Sequence, residues 1–97
     1  MKILVCGAAD YTNQGKVIET LDNVKPSSVV HSDSTGVDGF AAAWCLEKAV
    51  KQYPNHAVIM SRHSDLKLVL AFGTDAAVEK LIVEAQSRTI KVIRIRA

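Results

Sequence analysis

The sequence predicts an α/β fold: a single Rossmann-like three-layer domain whose parallel sheet has four or five strands in the order 3-2-1-4-5. Three observations carry this reading. Short, almost continuously apolar runs, the pattern of strands buried on both faces, recur at Lys2–Cys6, Ser28–His31 and Lys67–Phe72. Apolar residues at helical spacing follow each run. Each run also ends in a small or polar turn that opens the helix: Gly7-Ala8-Ala9-Asp10, Ser32–Gly36 and Gly73-Thr74. Strands alternating with helices of this length imply parallel pairing through right-handed crossovers, which brings all three helix N-termini to one sheet edge.

Taken in order, Lys2-Ile3-Leu4-Val5-Cys6 is the first strand. Thr12 or Asn13 caps a helix carrying Val17, Leu21 and Val24, and Pro26 stops it. Ser28-Val29-Val30-His31 is the second strand. Thr35-x-x-Asp38 has the form of a capping box, with Asp where Glu is commoner, and opens a helix with Val37, Phe40, Ala41, Trp44, Cys45 and Ala49 on one side. Ala57-Val58-Ile59-Met60 reads as a third strand, followed by a single helical turn at Ser61–Leu66. Only about six residues then remain to cross to the next strand, about 20 Å of reach. The alternative is a helix over Asn55–Leu66 and a four-stranded sheet. Lys67–Phe72 is the next strand, with Thr74 capping a helix whose stripe is Ala77, Val78, Leu81, Ile82 and Ala85. Ile90–Ile95 closes the sheet with alternating charge.

The length allows one domain, residues 1–97, and one core. With 48% hydrophobic and 23% charged residues the chain reads as globular rather than disordered. The net charge of +2 is too small, and the basic residues too scattered, to argue for nucleic acid. Lys91, Arg94 and Arg96 make only the last strand locally basic, as suits a solvated edge. No apolar stretch approaches a membrane span and no signal peptide precedes the first strand, so a cytoplasmic location is expected. Cys6 and Cys45 lack metal-ligand spacing and read as reduced packing residues.

The shared edge offers unpaired backbone N–H groups and the positive ends of helix dipoles, which suits a phosphate-bearing ligand. Gly7 either turns the backbone toward such a ligand or is an ordinary strand-to-helix glycine. Asp10, Asp33, Asp38 and Asp75 fall at the same mouth. Four carboxylates oppose a phosphate unless a cationic ligand group or a metal ion such as Mg²⁺ offsets them; no metal site or other cofactor is assigned. Asp38 and Asp75 also suit first-turn helix positions, whereas Asp33 can accept ribose hydroxyls. Arg62 is the Arg placed to reach the mouth and to pair with phosphate, or is a plain surface residue. His31 and His63 are able to titrate near neutral pH, although a strand-end His is more often structural. Ser32, Ser34 and Thr35 offer hydroxyls to phosphate oxygens or to the helix cap.

These residues carry a resemblance. Gly7-Ala8-Ala9-Asp10-Tyr11-Thr12 resembles the Gly-Ser-Arg-Asp-aromatic-Thr signature of small SLOG-superfamily proteins, the Rossmann-like group that includes the Lonely-Guy phosphoribohydrolases and the DNA-processing protein family. His31–Asp38 is similar to their His-Gly-Gly-x-x-Gly-Ala-Asp stretch, and Leu68–Thr74 to their strand running into a Gly-Gly-x-Gly-Thr loop. The resemblance implies a nucleotide or ADP-ribose-like ligand above Gly7, Gly36 and Gly73, with Ala8, Asp10, Ser32, Asp33, Thr35, Arg62 and Thr74 around it. It also has departures. The Arg of the signature is Ala9 here, its paired glycines are Ser32 and Asp33, and the last loop is cut to Gly73-Thr74. Arg62-His63 is a weak match to the Arg-Asn motif of the group. The hydrolases carry a Glu three residues after Gly-Thr, where this chain has Ala77; Glu79 lies about 200° further round the helix.

Three functions follow as expectations. The first is a small binding protein that senses or sequesters a nucleotide-derived ligand. The second is a nucleotide N-glycosidic hydrolase using Asp10 or Asp38 as its acid–base group. The third is an interaction or inhibitor protein, of viral or mobile-element type, that kept the fold, lost the pocket and binds a host protein. A homodimer packed through helices is expected under all three, with Trp44 and Leu81 only partly covered in the single chain.

Overall fold

The computed structural model describes residues 1–31, 36–54 and 65–95. They form one five-stranded parallel sheet, in the expected order β3-β2-β1-β4-β5. The elements are β1 (Lys2–Gly7), α1 (Gln14–Val24), β2 (Ser28–His31), α2 (Val37–Lys48), β3 (Lys51–Pro54), β4 (Leu66–Phe72), α3 (Ala76–Ser87) and β5 (Lys91–Ile95). The central strand β1 pairs with β2 through Ile3 and Val29 and with β4 through Val5 and Leu70.

Alternate side chains of these strands feed two cores. On one face Ile3, Val5, Val29, Leu70 and Phe72 pack with Val17 and Leu21 of α1 and with Val37, Ala41, Trp44 and Cys45 of α2. On the other face Leu4, Cys6, Val30, Val69 and Ala71 pack with Val78, Ile82 and Ala85 of α3. Both faces of β1 and β4 are therefore dry, which is why their sequences are continuously apolar rather than alternating.

The helices on opposite faces fix where a ligand can go. From β1 the chain winds through α1 and α2 toward β3, whereas from β4 it winds through α3 toward β5. The direction reverses between β1 and β4, and the crevice outside their C-terminal ends is the usual ligand position of such a sheet.

Several expectations need correction. The strand beside β2 is Lys51–Pro54, not Ala57–Met60. It is an edge strand with half-buried Gln52 and Tyr53 between exposed Lys51 and Pro54, so it has no apolar run to announce it. Moving it earlier leaves eleven residues before Leu66, about 36 Å of chain, and removes the strain on the crossing. Leu66, expected to end a helical turn, is instead the first residue of β4. Residues 57–64 lie outside the described residues. The N-cap of α2 is Gly36, one residue after Thr35, and the N-cap of α3 is Asp75, one after Thr74. Ala49 and Ala77, expected on buried stripes, are exposed. Trp44 is 5% exposed within the single chain and offers no bare apolar surface.

Candidate functional site

Three loops meet at the C-terminal ends of β1 and β4, and backbone hydrogen bonds fix the first and the last of them. Ala8 N–H donates to the Phe72 carbonyl at 2.9 Å, Tyr11 N–H to Ala8 at 3.0 Å, and Gly73 N–H to Ile95 at 2.9 Å. The β1–α1 loop is thereby laid over the end of β4. Tyr11 holds it there, with its ring edge-on to Phe72 at 5.6 Å between centroids.

Glycine serves a different purpose at each of the three expected positions. At Gly7 a Cβ would come 2.6 Å from the Val37 Cβ and 3.1 Å from the Phe72 carbonyl. Its missing side chain is the space into which the start of α2 packs, so Gly7 seats a helix against the sheet. Gly36 and Gly73 have φ of 73° and 76°, backbone that other residues adopt only at a cost. Gly36 lies over the same loop, with the place of a Cβ 3.5 Å from the Tyr11 carbonyl. At Gly73 that place is 3.2 Å from Tyr11 Cδ2 and 3.3 Å from Ala8 Cβ. Tyr11, absent from the residues expected at the site, thus sits between both glycines. The aromatic in the Asp-Tyr-Thr stretch was the available signal.

The carboxylates separate into distinct roles. Asp10 is exposed on the β1–α1 loop, whereas Asp38 is 6% exposed in the first turn of α2. Asp75 caps α3, its Oδ1 accepting from Val78 N–H at 2.9 Å, and reaches across the crevice, its Oδ2 accepting from Ala9 N–H at 3.1 Å. These backbone donors, Val78 first and then Ala9, hold its carboxyl below the usual carboxylate range against a smaller opposing effect of burial. Burial foremost, then the charges of Asp38 and Asp75, push the Cys6 thiol up to about 12. Burial pushes Cys45 to about 11. Both thiols are buried and un-ionised near neutral pH.

The remaining side chains also have partners. Thr74 Oγ1 donates to Glu79 at 2.9 Å, and Arg94 grips the same carboxylate through Nη1 at 2.7 Å and Nη2 at 2.9 Å. Hydrogen bonds from Arg94, then Thr74, lower the Glu79 pKa. His31 is 3% exposed and its Nε2 donates to Gln52 Oε1 at 2.7 Å, the structural role usual for a strand-end His. Ser32, Asp33, Ser34, Thr35, Arg62, His63 and Arg96 lie outside the described residues. Among the described residues no group of three or more His, Cys, Asp or Glu could hold a metal ion.

The three helix N-termini differ in how they are satisfied. Asn13 caps α1 by accepting from Lys16 N–H at 3.1 Å, and Asp75 caps α3. The Gly36 cap of α2 has no side chain to offer. A separate open groove of about 280 Å³ lies at the opposite sheet edge, lined by Asp22, Lys25, Pro26, Trp44, Lys48 and Val50. There Trp44 Nε1 donates to Asp22 Oδ1 at 2.9 Å.

A family model described as YAcAr, the YspA, cpYpsA-related SLOG family, matches residues 1–58. The chain belongs to this family. The match takes in β1, α1, β2, α2 and β3, and with them the first two loops of the crevice. Membership of the SLOG family agrees with the resemblance read from the first two loop motifs; the third, Leu68–Thr74, lies beyond the matched residues. No curated protein and no solved structure matches the chain. Among the described residues no helix is long and apolar enough to cross a membrane.

Proposed function

We propose that this SLOG domain is a small binding protein for a nucleotide or ADP-ribose-derived ligand, held at the C-terminal edge of the sheet for sensing or sequestration. The observation that carries the reading is the convergence of the Ala8–Tyr11, Gly36 and Gly73 backbones at the point where the strand order reverses. Gly36, the N-cap of α2, supports it, because a glycine brings no side chain to the first N–H groups of that helix. Binding rather than turnover is favoured by the fate of the carboxylates. Hydrogen bonds lower the pKa of Asp75 and of Glu79, which suits acceptors and not a general acid. Glu79, the nearest counterpart of the hydrolase Glu, is engaged by Arg94 and Thr74.

Thermal unfolding against nucleotides, ADP-ribose and cyclic nucleotides, with and without Mg²⁺, tests the reading. Ligand at about 100 times its dissociation constant stabilises by roughly 2.7 kcal/mol, worth about 10 °C or more in a domain this small. A shift with one ligand class supports the reading; no shift with any class overturns it in favour of an interaction protein. A homodimer packed through helices belongs to the same proposal, and sedimentation equilibrium reads it directly.

A further inference from the structure

Strand β5 is an edge of the sheet, and among the described residues it pairs with β4 alone. Gly73 N–H donates to the Ile95 carbonyl, so Ile95 turns its backbone groups toward β4. Backbone groups change sides at each residue of a strand. Lys91 and Ile93 therefore face β4 as well, whereas Val92 and Arg94 each point an N–H and a carbonyl outward. Lys91–Ile95 has neither proline nor a bulge to guard this edge. The Arg94 charge is taken up by the two hydrogen bonds to Glu79. Exposed apolar side chains flank the same edge on both faces of the sheet. Ile93 is 38% exposed on the side of β5 that Ile95 turns to the α1–α2 core. Val83 is 64% exposed on α3, one turn beyond Glu79 on the flank that reaches Arg94.

We infer that β5 pairs antiparallel with β5 of a second copy of this chain, about a two-fold axis at Ile93, so that two sheets become one. Val92 then faces the partner's Arg94, and each outward N–H meets an outward carbonyl. Ile93 meets the partner's Ile93 and Lys91 the partner's Ile95, so no like charges stand directly opposite. Other registers are poorer. An axis at Arg94 sets two guanidinium groups against each other, and one at Val92 calls on the Ile90 N–H, which already donates to Ala85. The same operation brings helices together. Helix α3 packs on β4 and β5, so with strands about 4.8 Å apart the two copies of α3 come to about 10 Å, the spacing of packed helices. Val83 lies on the flank turned toward the axis. The inference names the surface of the homodimer proposed above and rests on that homodimer, not on the ligand.

The experiment combines sedimentation equilibrium with disulfide trapping. Wild type is expected to sediment as two chains and Ile93→Lys as one, because its two new ammonium groups would stand opposite each other. Facing residues at a non-hydrogen-bonded antiparallel pair lie within disulfide reach, so Ile93→Cys should oxidise in air to a covalent dimer. Lys91→Cys, which would face the partner's Ile95, should not. Cys6 and Cys45 are buried and do not compete. A wild-type dimer that survives Ile93→Lys, or equal trapping of the two cysteine variants, overturns the β5 surface and leaves the homodimer standing. Wild type that remains a single chain at millimolar concentration overturns both. Should Ile93→Lys fail to fold, amide exchange in wild type decides. The Val92 and Arg94 amides are expected to slow as the protein is concentrated, while those of Ile93 and Ile95, already bonded within the chain, do not change. Exchange at Val92 and Arg94 that is independent of concentration overturns the inference.

Discussion

Replacing Gly7 by Ala separates a glycine that seats a helix from one that opens a ligand pocket. The added Cβ would lie 2.6 Å from the Val37 Cβ and 3.1 Å from the Phe72 carbonyl. Neither neighbour is the loose end of a flexible chain: Val37 is 1% and Phe72 0% exposed, and the carbonyl already accepts from Ala8 N–H. Relief requires the first turn of α2 to move away from β1, and overpacking of this kind costs about 1–3 kcal/mol. In a domain of this size each kcal/mol lowers the unfolding temperature by about 4–8 °C, so a fall of about 8–16 °C is expected for the middle of that range. The assay is reversible thermal unfolding followed by circular dichroism, run as a double-mutant cycle with Val37→Gly. That change removes the Val37 Cβ and Cγ2, both close to the added Cβ, so the double variant should be less destabilised than the sum of the single ones, with a coupling of about 1 kcal/mol or more. An unfolding temperature for Gly7→Ala within 2 °C of wild type, or strict additivity in the cycle, would refute the packing argument.

Four further outcomes follow from individual contacts. Tyr11→Phe should leave the unfolding temperature unchanged or raise it, because the buried Tyr11 hydroxyl has no hydrogen-bond partner among the described residues and its removal abolishes a desolvation cost of about 1–3 kcal/mol; a clear loss of stability would show that the hydroxyl is paired. Asp75 has a folded pKa below its unfolded value, so its stabilisation is present above about pH 4 and is lost as pH falls through the lower, folded value. The stability gap between wild type and Asp75→Ser should therefore close between pH 5 and pH 2 in acid unfolding curves. Thr89, a β-branched residue at φ 57°, should gain about 1 kcal/mol on replacement by Gly, read as a higher denaturant midpoint. Cys6 and Cys45, buried with pKa values pushed to about 12 and about 11, should resist a thiol reagent at pH 8 until the protein is denatured, when both react.

What could be read from the sequence follows burial. The central positions of β1, β2 and β4 are covered on both faces, so Ile3–Cys6, Val29-Val30 and Leu68–Phe72 are apolar and stand out as runs. β3 pairs with β2 alone, and its Lys51-Gln52-Tyr53-Pro54 carries no periodicity strong enough to outweigh the more apolar Ala57–Met60 nearby. The caps of α2 and α3, unlike Asn13 of α1, lie one residue beyond the expected ones for a related reason. Thr74 and Asp75 both have capping chemistry, and only the backbone decides that Asp75 accepts from Val78 while Thr74 turns to Glu79. The C-terminal edge of the sheet, where we propose the site, was legible because the parallel strand order and the loop glycines bring the three loops there. The Asp75–Ala9 contact and the position of Tyr11 were not, since they depend on how loops far apart in sequence come to rest on one another. The hydroxyl-rich stretch Ser32–Thr35 and Arg62 fall outside the described residues.

The most direct test of the account is an amide NMR titration of the wild-type protein with the ligand class that gives the largest thermal shift, or with each class in turn at millimolar concentration if none does. The account predicts perturbations confined to Ala8–Tyr11, Gly36–Gly39 and Gly73–Thr74, the loops at the C-terminal ends of β1, β2 and β4. Spectra that no nucleotide class alters, or shifts gathered around Asp22, Trp44 and Lys48 at the opposite edge, would contradict it.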